Sequence, residues 1–332
     1  MANTETIASA KELAAYYMDV GIPSYVEGPP GVGKSEMWQQ IAKERKMGFI
    51  DIRLAQLDPV DLRGLPKHDG NMTTWARPDF WPIPKRDGDK GIILFDELGD
   101  CGKAMQSAAY QIILDGRAGP HVIPDGWYRC AAGNSQKHKA GAQAMSTALA
   151  NRFAWIYVEA DHDCFLEYGN KVGLHHYVYG FIKTRPGLLH TMEGCTEKAF
   201  ASPRGWMRVS KVCEAPHDLL YKLVRGIIGE GPAAEFMTVL KVMDLPDLDD
   251  VLHDPKKCRI PKEPASKYAL SSMLARNMSR QNIDKIMAYI KRAEFGRDFE
   301  ICCALDATKR DNELCDTKAW VDFANRNQDL SL

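Results

Sequence analysis

Eight consecutive residues, Gly28-Pro29-Pro30-Gly31-Val32-Gly33-Lys34-Ser35, match the spacing G-x-x-x-x-G-K-S/T in full, the pattern of a loop that cradles a polyphosphate. The glycines let successive backbone N–H groups turn inward around an anion. A helix starting at Lys34 would aim the positive end of its dipole at the same charge. The Lys34 ammonium would reach the β- and γ-phosphates of ATP, and the Ser35 hydroxyl would ligate Mg²⁺. With Glu36 included, 28–36 is the candidate nucleotide-contacting stretch. The motif needs a strand before it and a helix after it, and Ser24–Glu27 and Glu36–Lys43 have those compositions.

A second run, Gly91-Ile92-Ile93-Leu94-Phe95-Asp96-Glu97, reads as a buried parallel strand ending in two acids, where such sheets place their ligands. Its distance from Lys34, 62 residues to Asp96, makes it a Walker B pattern. Asp96 would hold Mg²⁺ directly or through water, and Glu97 would polarise the attacking water. Trp127–Ala132 is another strand, ending at Gly133-Asn134. Asn134 would either lie beside the γ-phosphate and orient water or cap the next turn; composition does not choose. Arg152 ends a short helix expected over 143–152. It reads as a solvated cation near a negative dipole end, and gains a chemical role in an oligomer, where it could reach a neighbour's phosphate.

Further elements follow from periodicity and stop signals. A helix is expected over 6–19, with Ile7, Leu13, Ala14, Tyr17 and Met18 on one face. Strands are expected over Phe49–Leu54 and Ala154–Val158, and a helix over 103–115 stopped by Gly116. Residues 116–126 carry turn signals around a short hairpin-like insert. Residues 55–90 are broken by prolines and glycines and carry Trp75, Phe80 and Trp81. So long an irregular stretch is either a decorated surface loop or a substrate-contacting segment. The rest reads as helical. Ser202-Pro203 starts one helix. Residues 266–293 carry Ile283, Ile286, Met287 and Ile290 on one face, with Ser279 as a cap.

Composition narrows the class. Of 332 residues, 45% are hydrophobic and 26% charged, proportions of a folded chain of two or so domains. A net charge of −1 gives no overall electrostatic case for nucleic acid or a membrane surface. Nine cysteines without a C-x-x-C pair imply reduced thiols in a cytosol-like compartment. The polar start Met1–Thr6 is not that of a signal peptide, no apolar run reaches the ~20 residues of a membrane span, and His175-His176 lacks partners at ligand spacing. From Pro255 onward, fifteen Lys/Arg against eleven Asp/Glu read as a solvated helical face.

Taken together, the chain resembles an AAA+ ATPase, and within that superfamily the MoxR group, with relatives named CbbQ, NorQ and GvpN. The resemblance covers about 5–250. It is carried by GPPGVGKS (28–35), DPVDLRG (58–64), IILFDEL (92–98), DGRAGPHVIPDGW (115–127), CAAGNS (130–135), ALANRF (148–153) and SPRGW (202–206). It implies that Asn134 is a sensor reading the γ-phosphate, Arg152 an arginine finger reaching the neighbouring subunit, and Arg204 a second sensor in a helical lid. Arg117 is a further candidate for action across an interface. The inserts at about 55–82 and 116–127 would line or flank the pore of a hexameric ring.

The expected architecture is α/β: a P-loop AAA+ core over 1–160 with a five-stranded parallel sheet flanked by helices. An all-helical lid follows over 161–254, then a helical C-terminal extension of open role over 255–332. The expected activity is Mg²⁺-dependent ATP hydrolysis by a cytoplasmic homo-oligomeric ring that remodels a partner protein or complex. The family commonly works with a protein carrying a von Willebrand factor A domain. The alternatives are a nucleic-acid-directed motor, against which the balanced charge of 55–90 argues, and a nucleotide-gated scaffold, against which the complete hydrolytic set argues.

Overall fold

The computed structural model describes residues 4–134, 145–195 and 197–328. It divides into two compact units, 1–160 and 161–332.

The first unit begins with α1 (Ile7–Asp19), capped by the Thr6 hydroxyl, then β1 (Ser24–Glu27), α2 (Lys34–Glu44) and β2 (Gly48–Arg53). After α3 (Pro59–Arg63), β3 (Pro66–Asp69), β4 (Met72–Trp75) and α4 (Pro84–Asp87) come β5 (Gly91–Asp96) and α5 (Lys103–Asp115). The unit closes with β6 (Arg117–Ala118), β7 (His121–Val122), β8 (Trp127–Gly133), α6 (Thr147–Ala150) and β9 (Ala154–Tyr157). Five strands form one parallel sheet in the order β2-β5-β8-β1-β9. The P-loop strand β1 thus lies one strand away from β5, with β8 between them.

The period-2 alternation of β5 assigns its residues to two cores. Ile93 and Phe95 pack with Met105, Ala109, Ile112 and Ile113 of α5. Ile92 and Leu94 face the other way, onto Ala10 and Ala14 of α1 and Met37, Trp38 and Ile41 of α2. Burial on both faces is why this strand reads as an unbroken apolar run. On α1 Ala10 and Ala14 are buried in this core with Ile7, Tyr17 and Met18 packed beside them, while Leu13, expected on the same face, is 39% exposed.

The stretch 55–90 is more ordered than its prolines suggest. β3 and β4 pair as an exposed antiparallel hairpin, Lys67 opposite Thr74. Its base is closed by Ala76 N–H donating to Leu65 O at 2.8 Å, and nearby in the chain the fully buried Trp81 donates its indole N–H to Leu62 O at 2.9 Å. The β6–β7 hairpin leans on the same base through His121 Nε2, 3.0 Å from Arg63 O.

The second unit is helical: α7 (His162–Val172), α8 (His176–Thr184), α9 (Pro203–Ser210), α10 (His217–Ile228), α11 (Glu230–Val242), α12 (Leu248–His253), α13 (Pro264–Asn277), α14 (Ile283–Ile290), α15 (Arg297–Arg310) and α16 (Lys318–Arg326). Packing runs across 254/255. Gly180 of α8 lies against Ala265 and Ala269 of α13, and Val251 of α12 shares a core with α13–α16. The helical stretch expected over 266–293, with Ser279 as a cap, is built as α13 and α14. Asn282 closes the break, accepting from Ser279 N–H at 2.8 Å and donating to Asn277 O at 2.9 Å; Ser279 is therefore not the side-chain cap. All nine cysteines are free thiols. Among the described residues no helix is long and apolar enough to cross a membrane.

His175 and His176 stack with ring centroids 4.2 Å apart at the start of α8. Burial, then His175 and Arg276, push the His176 imidazole from 6.5 down to about 3. The unfolded chain therefore binds a proton below pH 6.5 that the folded one refuses, and stability falls as pH drops through that value. By pH 5 the loss should be about 1–2 kcal/mol, the upper figure being the full linkage for a wholly buried group. Melting His176→Gln at pH 7.5 and 5.0 checks this: the variant should lose that share of the acid sensitivity.

Candidate nucleotide-binding site

The P-loop connects β1 to α2 and takes its shape from glycine. Gly31 and Gly33 have φ of 82° and 105°, values a side chain would strain. Gly33 caps α2 without a side-chain bond, leaving the first N–H groups of the helix for an anion. A Cβ at Gly28 would collide with Val158 at the end of β9.

Lys34 is buried, and its ammonium donates to Gly28 O and Pro29 O, each at 2.9 Å, and to Asn134 Oδ1 at 3.1 Å. Ser35 Oγ donates to Asp96 Oδ2 at 2.7 Å, joining the P-loop to the end of β5. Glu97 follows with φ 59°, a left-handed backbone unusual for a side-chain-bearing residue. Its N–H donates to Asp96 Oδ1 at 2.9 Å. The Asn134 amide N–H₂ donates to Asp100 Oδ2 at 3.2 Å. Sequence left Asn134 between a phosphate-side role and a capping role, and the structure puts its amide beside Lys34.

These residues meet because β5 and β8 are parallel neighbours and β8 pairs with β1. Asp96, Glu97 and Asn134 therefore lie at the carboxyl ends of their strands beside the loop that leaves β1. Asp51 of β2 adds a further carboxylate. Burial first, then Asp96, pushes its acid up, against the pull of Arg53.

The donor set fits a magnesium nucleotide. Ser35 Oγ and Asp96 Oδ2 are hard oxygens already within 2.7 Å of each other, and Mg²⁺ is commonly held by one or two such ligands plus water and phosphate. The carbonyls of Gly28 and Pro29 hold the Lys34 ammonium as a point charge that a phosphate oxygen would bind more strongly.

Arg152 lies elsewhere. It sits two residues ahead of β9, which runs parallel to β1 with Ser24 opposite Ala154, and so at the amino end of the sheet. The four residues of β9 separate it from the carboxyl ends by roughly 13 Å, at about 3.3 Å per residue. Its Nε and Nη2 donate to the Tyr110 hydroxyl at 3.2 and 2.9 Å, and the guanidinium lies over the same ring. The adjoining α6 is shorter than expected and capped by Ser146; Ser135 and residues 143–144 of the expected motifs lie outside the described residues. Arg204 is exposed in the first turn of α9, behind the Ser202 cap and Pro203. Arg117 is exposed on β6.

Sequence reasoning missed Asp100, Tyr110, Asp51 and Tyr25. Only Asp100 left a signal, its place in the run Asp96-Glu97-Leu98-Gly99-Asp100. The others are ordinary element residues whose positions come from pairing between distant segments.

No protein-family model and no curated protein matches the sequence. Among solved structures, the chain is similar to the Thermotoga maritima RuvB Holliday junction branch migration motor, with 18% identity over 76% of this chain and 74% of that one and a TM-score of 0.37. A lysine-to-arginine variant of the same motor aligns at 17% identity over 87% and 85%, with a TM-score of 0.38. Likeness at that level carries no residue role from those chains to this one.

Proposed function

We propose that this chain is a Mg²⁺-dependent ATPase of the AAA+ type, related to the MoxR group, working as a homo-oligomeric, hexameric ring in the cytoplasm. The observation that carries the reading is the meeting of the P-loop with the end of β5, Ser35 Oγ on Asp96 Oδ2 at 2.7 Å, beside a Lys34 that also contacts Asn134. In turnover Lys34 exchanges the Gly28 and Pro29 carbonyls for phosphate oxygens. The N–H groups at the start of α2 hold the β-phosphate. Glu97 polarises the attacking water and takes its proton, and Asn134 keeps that water in line. Mg²⁺, held by Ser35 and Asp96, supplies charge neutralisation on the phosphates. Arg152 of the next protomer stabilises charge as the γ-phosphate departs, and Arg204 reads the same phosphate from a lid formed by 161–254.

The output is mechanical: loss of the γ-phosphate releases both arginines and lets lid and core shift. The substrate class is a partner protein or complex, with a von Willebrand factor A domain protein as the expected adaptor. The exposed β3–β4 hairpin is the segment that would engage it. Phosphate release measured against Mg²⁺ tests the site. Wild type should hydrolyse ATP only with the metal, and Ser35→Ala should need at least about tenfold more Mg²⁺, since even indirect metal partners cost ~10–100-fold. Equal Mg²⁺ requirements would remove Ser35 from the metal site.

A further inference from the structure

We infer that Asp100 is a positioning residue that sets the orientation of the Asn134 amide, and so which face of it meets the γ-phosphate and the attacking water; this rests on the ATPase reading above. A side-chain amide is nearly symmetric in shape, and its useful orientation must come from its neighbours. Here both neighbours are unambiguous. Lys34 Nζ can only donate, so the atom 3.1 Å from it is the carbonyl oxygen. The carboxylate of Asp100 accepts, so the atom 3.2 Å from it is the N–H₂. Without Asp100 the amide keeps one restraint and can rotate. With it, one amide hydrogen is committed to Asp100, and among the described residues none takes the other.

Asp100 is itself seated firmly. It ends a 3₁₀ turn over Leu98–Asp100, its N–H donating to Glu97 O at 2.9 Å. The preceding residue, Gly99, lies against the Tyr25 hydroxyl, which a Cβ there would meet at 2.9 Å. Tyr25 is buried in the P-loop strand and packs its ring on Phe153 and Trp155, at centroid distances of 5.6 and 4.5 Å. The same hydroxyl fills the space a Cβ would need at Gly133, next to Asn134. One buried tyrosine therefore sets both the loop carrying Asp100 and the strand end carrying Asn134.

The test uses full-length wild type, Asp100→Ala, Asp100→Asn, Asn134→Ala and the double variant Asp100→Ala/Asn134→Ala. In Asp100→Ala, kcat should fall ~10–100-fold, the usual cost of removing a group that orients an active-site residue, with ATP affinity unchanged. Asp100→Asn keeps an acceptor oxygen and should recover most of the rate. In the Asn134→Ala background, loss of Asp100 should cost nothing further, because the amide it orients is gone. Full activity in Asp100→Ala, losses that multiply in the double variant, or Asp100→Asn as slow as Asp100→Ala would each overturn the inference.

A second readout needs no turnover. The side-chain ¹⁵N–H₂ signal of Asn134 in nucleotide-free protein, assigned by its absence in Asn134→Ala, should shift and exchange faster in Asp100→Ala; an unchanged signal overturns the inference. If that signal depends on Asp100 while wild type hydrolyses no ATP, the ATPase reading fails and the positioning role stands.

Discussion

Arg152→Ala should lower ATP turnover by about 10³–10⁵-fold, the range found for arginine fingers, while nucleotide affinity of the isolated protomer stays the same. Arg152 lies at the amino end of β9, whereas Asp96, Glu97 and Asn134 lie at the carboxyl ends of their strands. No arginine side chain spans the roughly 13 Å of strand between them. A nucleotide phosphate at this chain's own P-loop is therefore out of its reach, and a finger role requires a second protomer. Its present partner, the Tyr110 hydroxyl, holds the exposed guanidinium in place at the surface. Turnover per protomer should rise with protein concentration in wild type and be absent in the variant. Mixing gives a sharper check. Arg152→Ala and Glu97→Gln subunits, each inactive alone, should regain part of the activity together, because some interfaces would combine an intact Glu97 with an intact Arg152. Turnover that is flat with concentration and indifferent to Arg152 would make this a self-contained P-loop enzyme.

The second large effect is expected at Glu97. Glu97→Gln keeps shape and hydrogen-bonding reach but removes the proton acceptor, and should slow hydrolysis by ~10²–10⁴-fold without weakening ATP binding. The backbone supports a dedicated role. Glu97 occupies a left-handed conformation at φ 59°, of a kind that costs about 1–3 kcal/mol and clusters at functional sites. The Asp96 carboxylate accepts its N–H, so the turn aims Glu97 independently of its own side chain. The variant should accumulate ATP-bound assemblies that wild type dissolves by hydrolysis, visible by light scattering with ATP. A variant that stayed monomeric with ATP, while wild type assembled, would show that Glu97 has another task.

What could be read directly from the chain was what is local. The P-loop, the apolar strand ending in Asp96-Glu97, and the Gly116 stop of α5 are contiguous patterns in which neighbouring residues determine the conformation. Gly116 indeed ends α5 in the left-handed region at φ 64°. Proline and glycine were a poorer guide over 55–90. There a hairpin forms because cross-strand pairing outweighs the breakers, and the buried Trp81 ties the stretch to Leu62 of α3. On α1 the expected stripe packs inward at Ile7, Ala14, Tyr17 and Met18, yet Leu13 stays 39% exposed and Ala10 is buried as well.

The sequence by itself determined which residues make up the candidate nucleotide site, because Lys34, Ser35, Asp96 and Glu97 announce themselves by type and spacing. Tertiary structure alone decided how the site is completed. The strand order β2-β5-β8-β1-β9 brings Asn134 to Lys34 across 100 residues of chain and Asp100 to Asn134 across 34. The same order sends Arg152 to the opposite end of the sheet. No local pattern encodes these placements, because strand pairing is a choice among distant partners made by the burial of whole faces.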